Sequence, residues 1–450
     1  MKNGNNTSVK KYILKMAIPA IAGLSSQMIV SLVDTSMVGR LPEAEYALAA
    51  MGLGVLATWA LISFFSSLST GTHVLVARKY GAGDYTGCGR VLNSSLILTF
   101  CVGIVVGFIG VASAYTIAHF FAADDTVGNY AGQFLFYRFM GIPFFLVTVS
   151  YRGFFFGIGK IKIFMYSGLL VNLLNIVFNY FLIFGNLGVP RMGVAGSGLG
   201  STLATCCEAL FYLGVSFYPA YRKKFNYFKN FRFDTGIVKS IYKISLPVSL
   251  QNVFILIAFL SFVAITGLVG TAQQAATQVV ISSLFISLMP CFGFGIAVQT
   301  LVGNNLGSNK INLARIYAIE TSKIATYYTL LVGAVFIITP RVILHLLTNE
   351  SNVIETAVPA LRIAGFAQIF YASGIVLANS LQAAGKTLFV MLSEVLTSWI
   401  LFIPLSYFFG VHLKLGLLGA WGALPLYVLA YSLIIYLKFR NGKWSRLSNL

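Results

Sequence analysis

Acidic residues are scarce in this chain, with 12 Asp and Glu against 31 Lys and Arg in 450 residues. All charged residues together make up 10%, whereas soluble domains carry roughly 25%. A soluble enzyme is therefore excluded. The four histidines, His73, His119, His345 and His412, lie mostly near the ends of apolar runs and form no ligand or catalytic constellation. The five cysteines, Cys88, Cys101, Cys206, Cys207 and Cys291, show neither CxxC nor zinc spacing, so no disulfide framework and no metal site is indicated. Gly81-Ala-Gly-Asp84 is not a phosphate loop, and no other Gly-rich candidate stands out. No cofactor is expected, and a membrane-embedded enzyme lacks its reacting groups. The formal net charge of +19 does not point to nucleic acid, because the basic residues punctuate apolar runs and form no basic domain.

What the chain has is apolar length. It is 58% hydrophobic, with a mean hydropathy of +0.83. Twelve apolar runs are long enough to cross a bilayer, at 14–38, 47–69, 92–121, 133–156, 163–186, 194–218, 241–269, 276–303, 316–339, 355–381, 387–410 and 416–437. The run after Lys15 is too long for the core of a cleavable signal peptide. About 25 of the 31 Lys and Arg fall on one side of these runs, including Lys10, Lys11, Arg78, Lys79, Lys160, Lys386, Lys438 and the segment Arg222 to Lys243 with Lys229 and Arg232. Arg446, near the end of the chain, belongs to the same side. Basic residues collect in cytoplasmic loops, so both termini are expected to be cytoplasmic in the cell (inner) membrane, the basic face lying against anionic lipid headgroups.

The second half repeats the first. Val38-Gly39 recurs as Val269-Gly270, Thr72 to Gly81 reads like Val298 to Gly307, and Arg138-Phe-Met-Gly141 matches Arg362-Ile-Ala-Gly365. Gly159-Lys160 matches Gly385-Lys386, and Gly193-Val-Ala-Gly196 matches Gly416-Leu-Leu-Gly419. Six spans per half give both halves the same orientation. The expected fold is an all-α integral membrane protein of twelve transmembrane helices in two six-helix bundles, related by a pseudo-two-fold axis normal to the membrane. An N-lobe over 1–220, a basic cytoplasmic linker over 221–240 and a C-lobe over 241–450 follow. Internal repeats of this kind mark secondary transporters, whose sites lie near the midplane.

Two acids fall well inside the spans, Asp34 and Glu208. A carboxylate at membrane depth is costly and is by default a functional candidate. Gln27, Ser31 and Asp34 share one helix face, as do Asn172, Asn175 and Asn179, and Ser201, Thr205 and Glu208. Asp34 with the Asn175 and Asn179 amides suits a proton network, or oxygen ligands for a hard cation such as Na⁺. Glu208 is either a second titrating group or an acid satisfied by a polar neighbour. The second half is polar but uncharged inside, with Gln251, Asn252, Gln278, Ser282, Gln368 and Asn379. Tyr371 and Phe154 to Phe156 either line a cavity for flat, apolar molecules or face lipid or pack.

Asp34-Thr-Ser-Met-Val-Gly39-Arg40, Leu48-Ala-Ala-Met-Gly52, Gly81-Ala-Gly-Asp84, Gly159-Lys160, Gly196-Ser-Gly198, Gly385-Lys386 and Gly419-Ala-Trp421 together resemble the MATE family, the multidrug and toxic compound extrusion transporters. The resemblance spans nearly the whole chain. It implies two six-helix bundles forming a V, and export of amphipathic, often cationic organic compounds in exchange for H⁺ or Na⁺. Pro19 and Asp34 match the family's first-helix proline, where the helix bends, and its acid. Asn175 matches a span-5 asparagine, Asn179 stands where some members have a second acid, and Ser201 where a threonine is usual. The acid that some members carry early in helix 7 is missing between Pro247 and Ile255, which places the chain nearest the DNA-damage-inducible F branch. Counting back from Gly270, Ile265 stands at the position matching Asp34.

The expected function is a secondary active multidrug antiporter, acting as a monomer and coupled through the N-lobe. Asp34, Asn175, Asn179 and Ser201 are the expected ion-coupling set. Gln27, Ser31, Asn172, Thr205, Glu208, Gln251, Gln278 and Tyr371 are candidates for the substrate cavity. The alternative is a flippase for lipids or lipid-linked oligosaccharides, a class that often lines its cavity with cationic residues, whereas the span interiors here lack Arg and Lys away from their ends.

Overall fold

The structure, a computed structural model, describes residues 2–122, 124–228 and 233–445. Lys229, Arg232 and Arg446 lie outside the described residues, as do positions 229–232 of the expected linker. Every regular element described is helical: α1 (Lys2–Val38), α2 (Ala44–Ser66), α3 (Leu68–Gly81), α4 (Tyr85–Phe121), α5 (Asp125–Met140), α6 (Ile142–Gly157), α7 (Ile161–Phe184), α8 (Gly193–Ser216), α9 (Pro219–Phe225), α10 (Thr235–Val269), α11 (Thr271–Gly307), α12 (Ile311–Ile338), α13 (Pro340–His345), α14 (Ser351–Ala383), α15 (Thr387–Thr397), α16 (Ile403–Tyr407) and α17 (Gly416–Arg440). In hydrocarbon every backbone N–H and C=O must be satisfied within the segment, which leaves helices as the natural outcome for such apolar runs.

Eleven described helical stretches are long and apolar enough to span, with α2 and α3 counted together and α15 to His412 likewise. The twelfth is the pair α5 and α6, bent by 48° at Gly141. Pro143, at the start of α6, lacks a backbone N–H and suits a helix's first turn rather than its interior. Gly103, Gly107 and Gly110 of α4 face this bend. A Cβ on Gly103 would lie 2.7 Å from the Cα of Pro143, so glycine is what lets the two backbones meet.

The repeat is visible in the turns. Gly159 and Gly385 are both left-handed, at φ +72° and +75°, and each is followed by a lysine whose N–H bonds back to the carbonyl five residues earlier, Lys160 to Phe155 and Lys386 to Leu381. Gly83 and Asn309 make the same turn after α3 and α11, at φ +79° and +57°. These are helix-ending motifs that glycine, and less readily asparagine, adopts without a Cβ clash.

The chain forms two compact units, but their boundary is not the one expected from the spans. One unit is Ala22–Ser249; the other is Met1–Ile21 with Leu250–Leu450. Helices α1 and α10 therefore each pass from one unit into the other, in place of lobes parted at 220 and 241. Each handover follows two residues after an internal proline, Pro19 in α1 and Pro247 in α10. Proline deletes one intrahelical bond and crowds the preceding turn, a natural place for a long helix to change course. At 37 residues, α1 is about 55 Å long, well beyond one bilayer core.

In the first unit, α4 packs on α5 and α6, α3 on α6, and α7 on α8. One core cluster gathers Val38, Ala47, Phe134, Leu135 and Phe139; another gathers Val74, Val91, Tyr151, Phe154 and Phe155. The Phe154–Phe155 aromatics are thus packing residues. In the second unit α14 is central and packs against α11, α12 and α17.

Candidate functional site

Helix α1 brings Asp34 against α7, and the asparagine stripe of α7 meets it. The side-chain N–H of Asn179 donates to Asp34 Oδ1 at 2.8 Å and also reaches Asn175 Oδ1 at 3.2 Å. Asn175 in turn donates to Ser201 Oγ of α8 at 2.9 Å. The four residues expected to act together therefore form one hydrogen-bonded chain across three helices. Asn179 is fully buried and Asp34 nearly so. The amide of Asn179 spends both N–H donors on oxygen acceptors, which suits an ionised carboxylate. Room for it comes from Gly200 of α8, where a Cβ would lie 2.1 Å from Asn179 Oδ1. Arg138, near the end of α5, adds positive potential at Asp34. Chemically the set holds a carboxylate that can take a proton. It also supplies carboxylate, amide and hydroxyl oxygens, the donor class that a hard monovalent cation prefers.

Two cavities lie in the same unit. A small one of about 40 Å³ is lined by Thr58, Ile62, Arg138, Phe145, Thr202 and Thr205. A larger one of about 440 Å³ lies among Tyr115, Gln133, Phe136, Tyr137 and Arg191. That is the size of a small organic molecule's pocket. Gln133 and Tyr137 are one turn apart on α5, and Arg191 precedes α8, so only the fold brings the arginine to them.

The remaining cavity candidates scatter. Thr205 lines the small cavity. Gln27, Ser31 and Gln278 are on exposed helix faces, and Asn172 is half-buried with its Nδ2 unpartnered. Glu208 departs from the cavity reading. Its two oxygens lie 3.0 and 2.9 Å from Arg152 Nη2, and Ser167 Oγ donates to it at 3.1 Å. The Tyr212 hydroxyl lies 2.7 Å from Ser167 Oγ, and the Arg152 guanidinium lies over the rings of Phe145 and Phe164. Glu208 is thus an acid satisfied by a buried ion pair within α6, α7 and α8. Arg152, counted with the basic loop after span 4, sits inside α6 because its partner Glu208 neutralises it there.

The second unit corrects the expectation of an uncharged interior. Glu394, seven residues into α15, is buried and accepts a hydrogen bond from Gln251 of α10. Tyr371 of α14 and Tyr431 of α17 face the same carboxylate. Gln251 and Tyr371 are therefore neighbours of an acid, not open cavity walls. By sequence Glu394 reads as an acid near a span end; the apolar run Leu388 to Leu392 before it is the signal that it lies inside.

Among the described residues, eleven helical stretches and one bent pair long and apolar enough to cross a membrane, with buried polar networks between them, define a polytopic membrane protein. The MatE family matches this chain in two stretches, residues 19–181 and 247–408, each beginning at one of the two handover prolines. The chain belongs to the MatE family. A probable multidrug resistance protein NorM of Thermotoga maritima is 25% identical over 447 residues, 97% of this chain and 94% of its own length. The probable multidrug resistance protein YoeA of Bacillus subtilis is 23% identical, over 95% and 93%. Among solved structures, a MOP superfamily transporter from Pyrococcus furiosus superposes with a TM-score of 0.89 at 22% identity, over 98% of this chain and 97% of that one. A multidrug resistance MATE family transporter in an outward-facing conformation gives 0.86 at 22% identity, over 96% and 95%.

Proposed function

We propose that the protein is a secondary active multidrug efflux antiporter of the cell membrane that exports amphipathic, often cationic organic compounds in exchange for H⁺. Its termini are cytoplasmic, it works as a monomer, and Asp34 is the coupling acid. The observation that carries this reading is the buried Asp34 carboxylate held by Asn179. Facing out, Asp34 takes up a proton and substrate leaves; facing in, the proton leaves and substrate binds. Competition of the two for one site couples their movements reciprocally. One charge moving inward gains about 2.3 kcal/mol per 100 mV. The relatives named as multidrug resistance proteins support the substrate class. Na⁺ is the other ion that the Asp34, Asn175, Asn179 and Ser201 oxygens would accept.

A lipid flippase is the weaker reading, because the cation at Arg152 is neutralised by Glu208 and Arg138 stands beside Asp34. The test is uptake of a fluorescent organic cation into inverted proteoliposomes. Accumulation driven by an imposed ΔpH and indifferent to a Na⁺ gradient supports H⁺ antiport. Na⁺-driven accumulation makes Na⁺ the coupling ion. Lipid scrambling without cation transport would overturn the reading.

A further inference from the structure

The second unit holds an ionisable centre of its own. Glu394 is only 5% exposed. Its Oε2 accepts from Gln251 Nε2. Tyr371 and Tyr431 face it from α14 and α17, with Tyr427 of α17 close by and Cys291 of α11 beyond Tyr371. From α10 the facing group is Gln251. Among the described residues no Lys, Arg or His forms an ion pair with it. A buried carboxylate lacking a cation is expensive to keep charged, and it neutralises readily.

The amide beside it is built for either state. Gln251 Oε1 is buried and has no hydrogen-bond partner. A terminal amide turned by half a rotation exchanges its N–H for its C=O. The N–H serves the ionised carboxylate, and the free carbonyl accepts from a protonated one. Next in the chain, residues Ser398–Phe402 form a π-helical turn, a feature that concentrates at functional sites. Trp399 Nε1 in that turn donates to the carbonyl of Phe254 on α10 at 3.3 Å. Two cross-helix bonds, one through Glu394 and one through the π turn, thus tie this span to α10.

The arrangement mirrors that of the first unit with roles exchanged. There the acid is on the first span of the repeat and the amide on the fifth. Here the amide, Gln251, is on the first and the acid on the fifth.

We propose that Glu394, with Gln251 as its switching partner, is a second proton-binding site belonging to the second unit. A hydronium ion gives its proton to the carboxylate, its O–H bond breaking to leave water, and the carboxyl returns the proton to a water molecule later in the cycle. The use of this site in transport rests on the antiport reading above; the site itself does not. Infrared difference spectra of the full-length protein between acid and alkaline buffer read carboxyl protonation directly. A protonated-carboxyl C=O band present in the wild type is expected to be lost in Glu394→Gln, retained in Asp34→Asn and shifted in Glu394→Asp, whose carboxyl also controls for misfolding. Identical carboxyl bands in the wild type and Glu394→Gln overturn the proposal. Displacement of the Glu394 band by Na⁺ at constant pH overturns it in favour of a sodium site. In proteoliposomes, protons moved per substrate are expected to fall by half in Glu394→Gln. Should the wild type move no protons against substrate while the band persists, the antiport reading fails and the site stands.

Discussion

Asn179 is bound to Asp34 at 2.8 Å from a position 145 residues further along the chain, with no side chain between them. Asp34 is the single acid of α1, and its burial leaves the carboxylate little room to hydrate. Replacing Asn179 by Ala removes the donor but leaves the carboxylate in place. Efflux is expected to persist at a reduced rate, with its pH optimum displaced, because the ionised form has lost about 1.5–3 kcal/mol of hydrogen bonding. Transport assayed from pH 5 to 9 checks this; an unchanged profile would detach Asn179 from the coupling step.

Gly200→Ala probes the same contact from α8. The new methyl group would meet both Asn179 Oδ1 at 2.1 Å and its backbone nitrogen at 3.1 Å, so rotating one side chain does not relieve it. Overpacking of this kind costs about 1–3 kcal/mol. A lowered melting temperature in detergent, together with impaired coupling, is the expected result.

Arg152 and Glu208 are expected to matter for stability and not for coupling. Arg152→Gln or Glu208→Gln leaves one charge buried alone, at a cost of about 3–5 kcal/mol. The double variant Arg152→Met with Glu208→Leu is expected to recover most of that loss and to transport normally. Loss of coupling in a stable double variant would restore Glu208 as a titrating group.

Asp84 lies outside the spans and offers a pH test of the fold. It caps α4 by accepting from the Gly87 N–H at 2.7 Å, and Lys79 Nζ lies 3.2 Å away. Partial burial raises its pKa, but the Gly87 bond and Lys79 prevail and hold it below the usual carboxylate value. A depressed folded-state pKa stabilises above the unfolded value, about 3.9 for Asp, and that stability is lost as pH falls through the folded value. Asp84→Ala, which also removes the cap, is expected to lose about 1 kcal/mol at pH 7. Its deficit against wild type in thermal unfolding should shrink below about pH 4.

Much of this was legible because apolar length and basic punctuation are local signals. The spans, the repeat turns at Gly159 and Gly385 and the asparagine stripe of α7 follow from local spacing, whereas joining Asp34, Asn175, Asn179 and Ser201 across three helices leans on the family resemblance. The bend at Gly141 had its marker in Pro143. What escaped depends on tertiary pairing. Arg152 reads as a loop cation until Glu208 is placed opposite it. Glu394 reads as a span-end acid until Gln251 and two tyrosines close around it. The handover of α1 and α10 between units is invisible to hydropathy, which registers a helix but not which neighbours it serves. The π turn at Ser398–Phe402 has no sequence mark that we recognise.

The coupling role of Asp34 is tested most directly by ΔpH-driven transport of a fluorescent organic cation by Asp34→Asn in proteoliposomes, beside wild type at matched protein density. The substitution keeps the side chain's size and removes its titration. Folded protein with gradient-driven accumulation abolished is the expected result. Accumulation at the wild-type rate would contradict it and move the coupling site elsewhere in the chain.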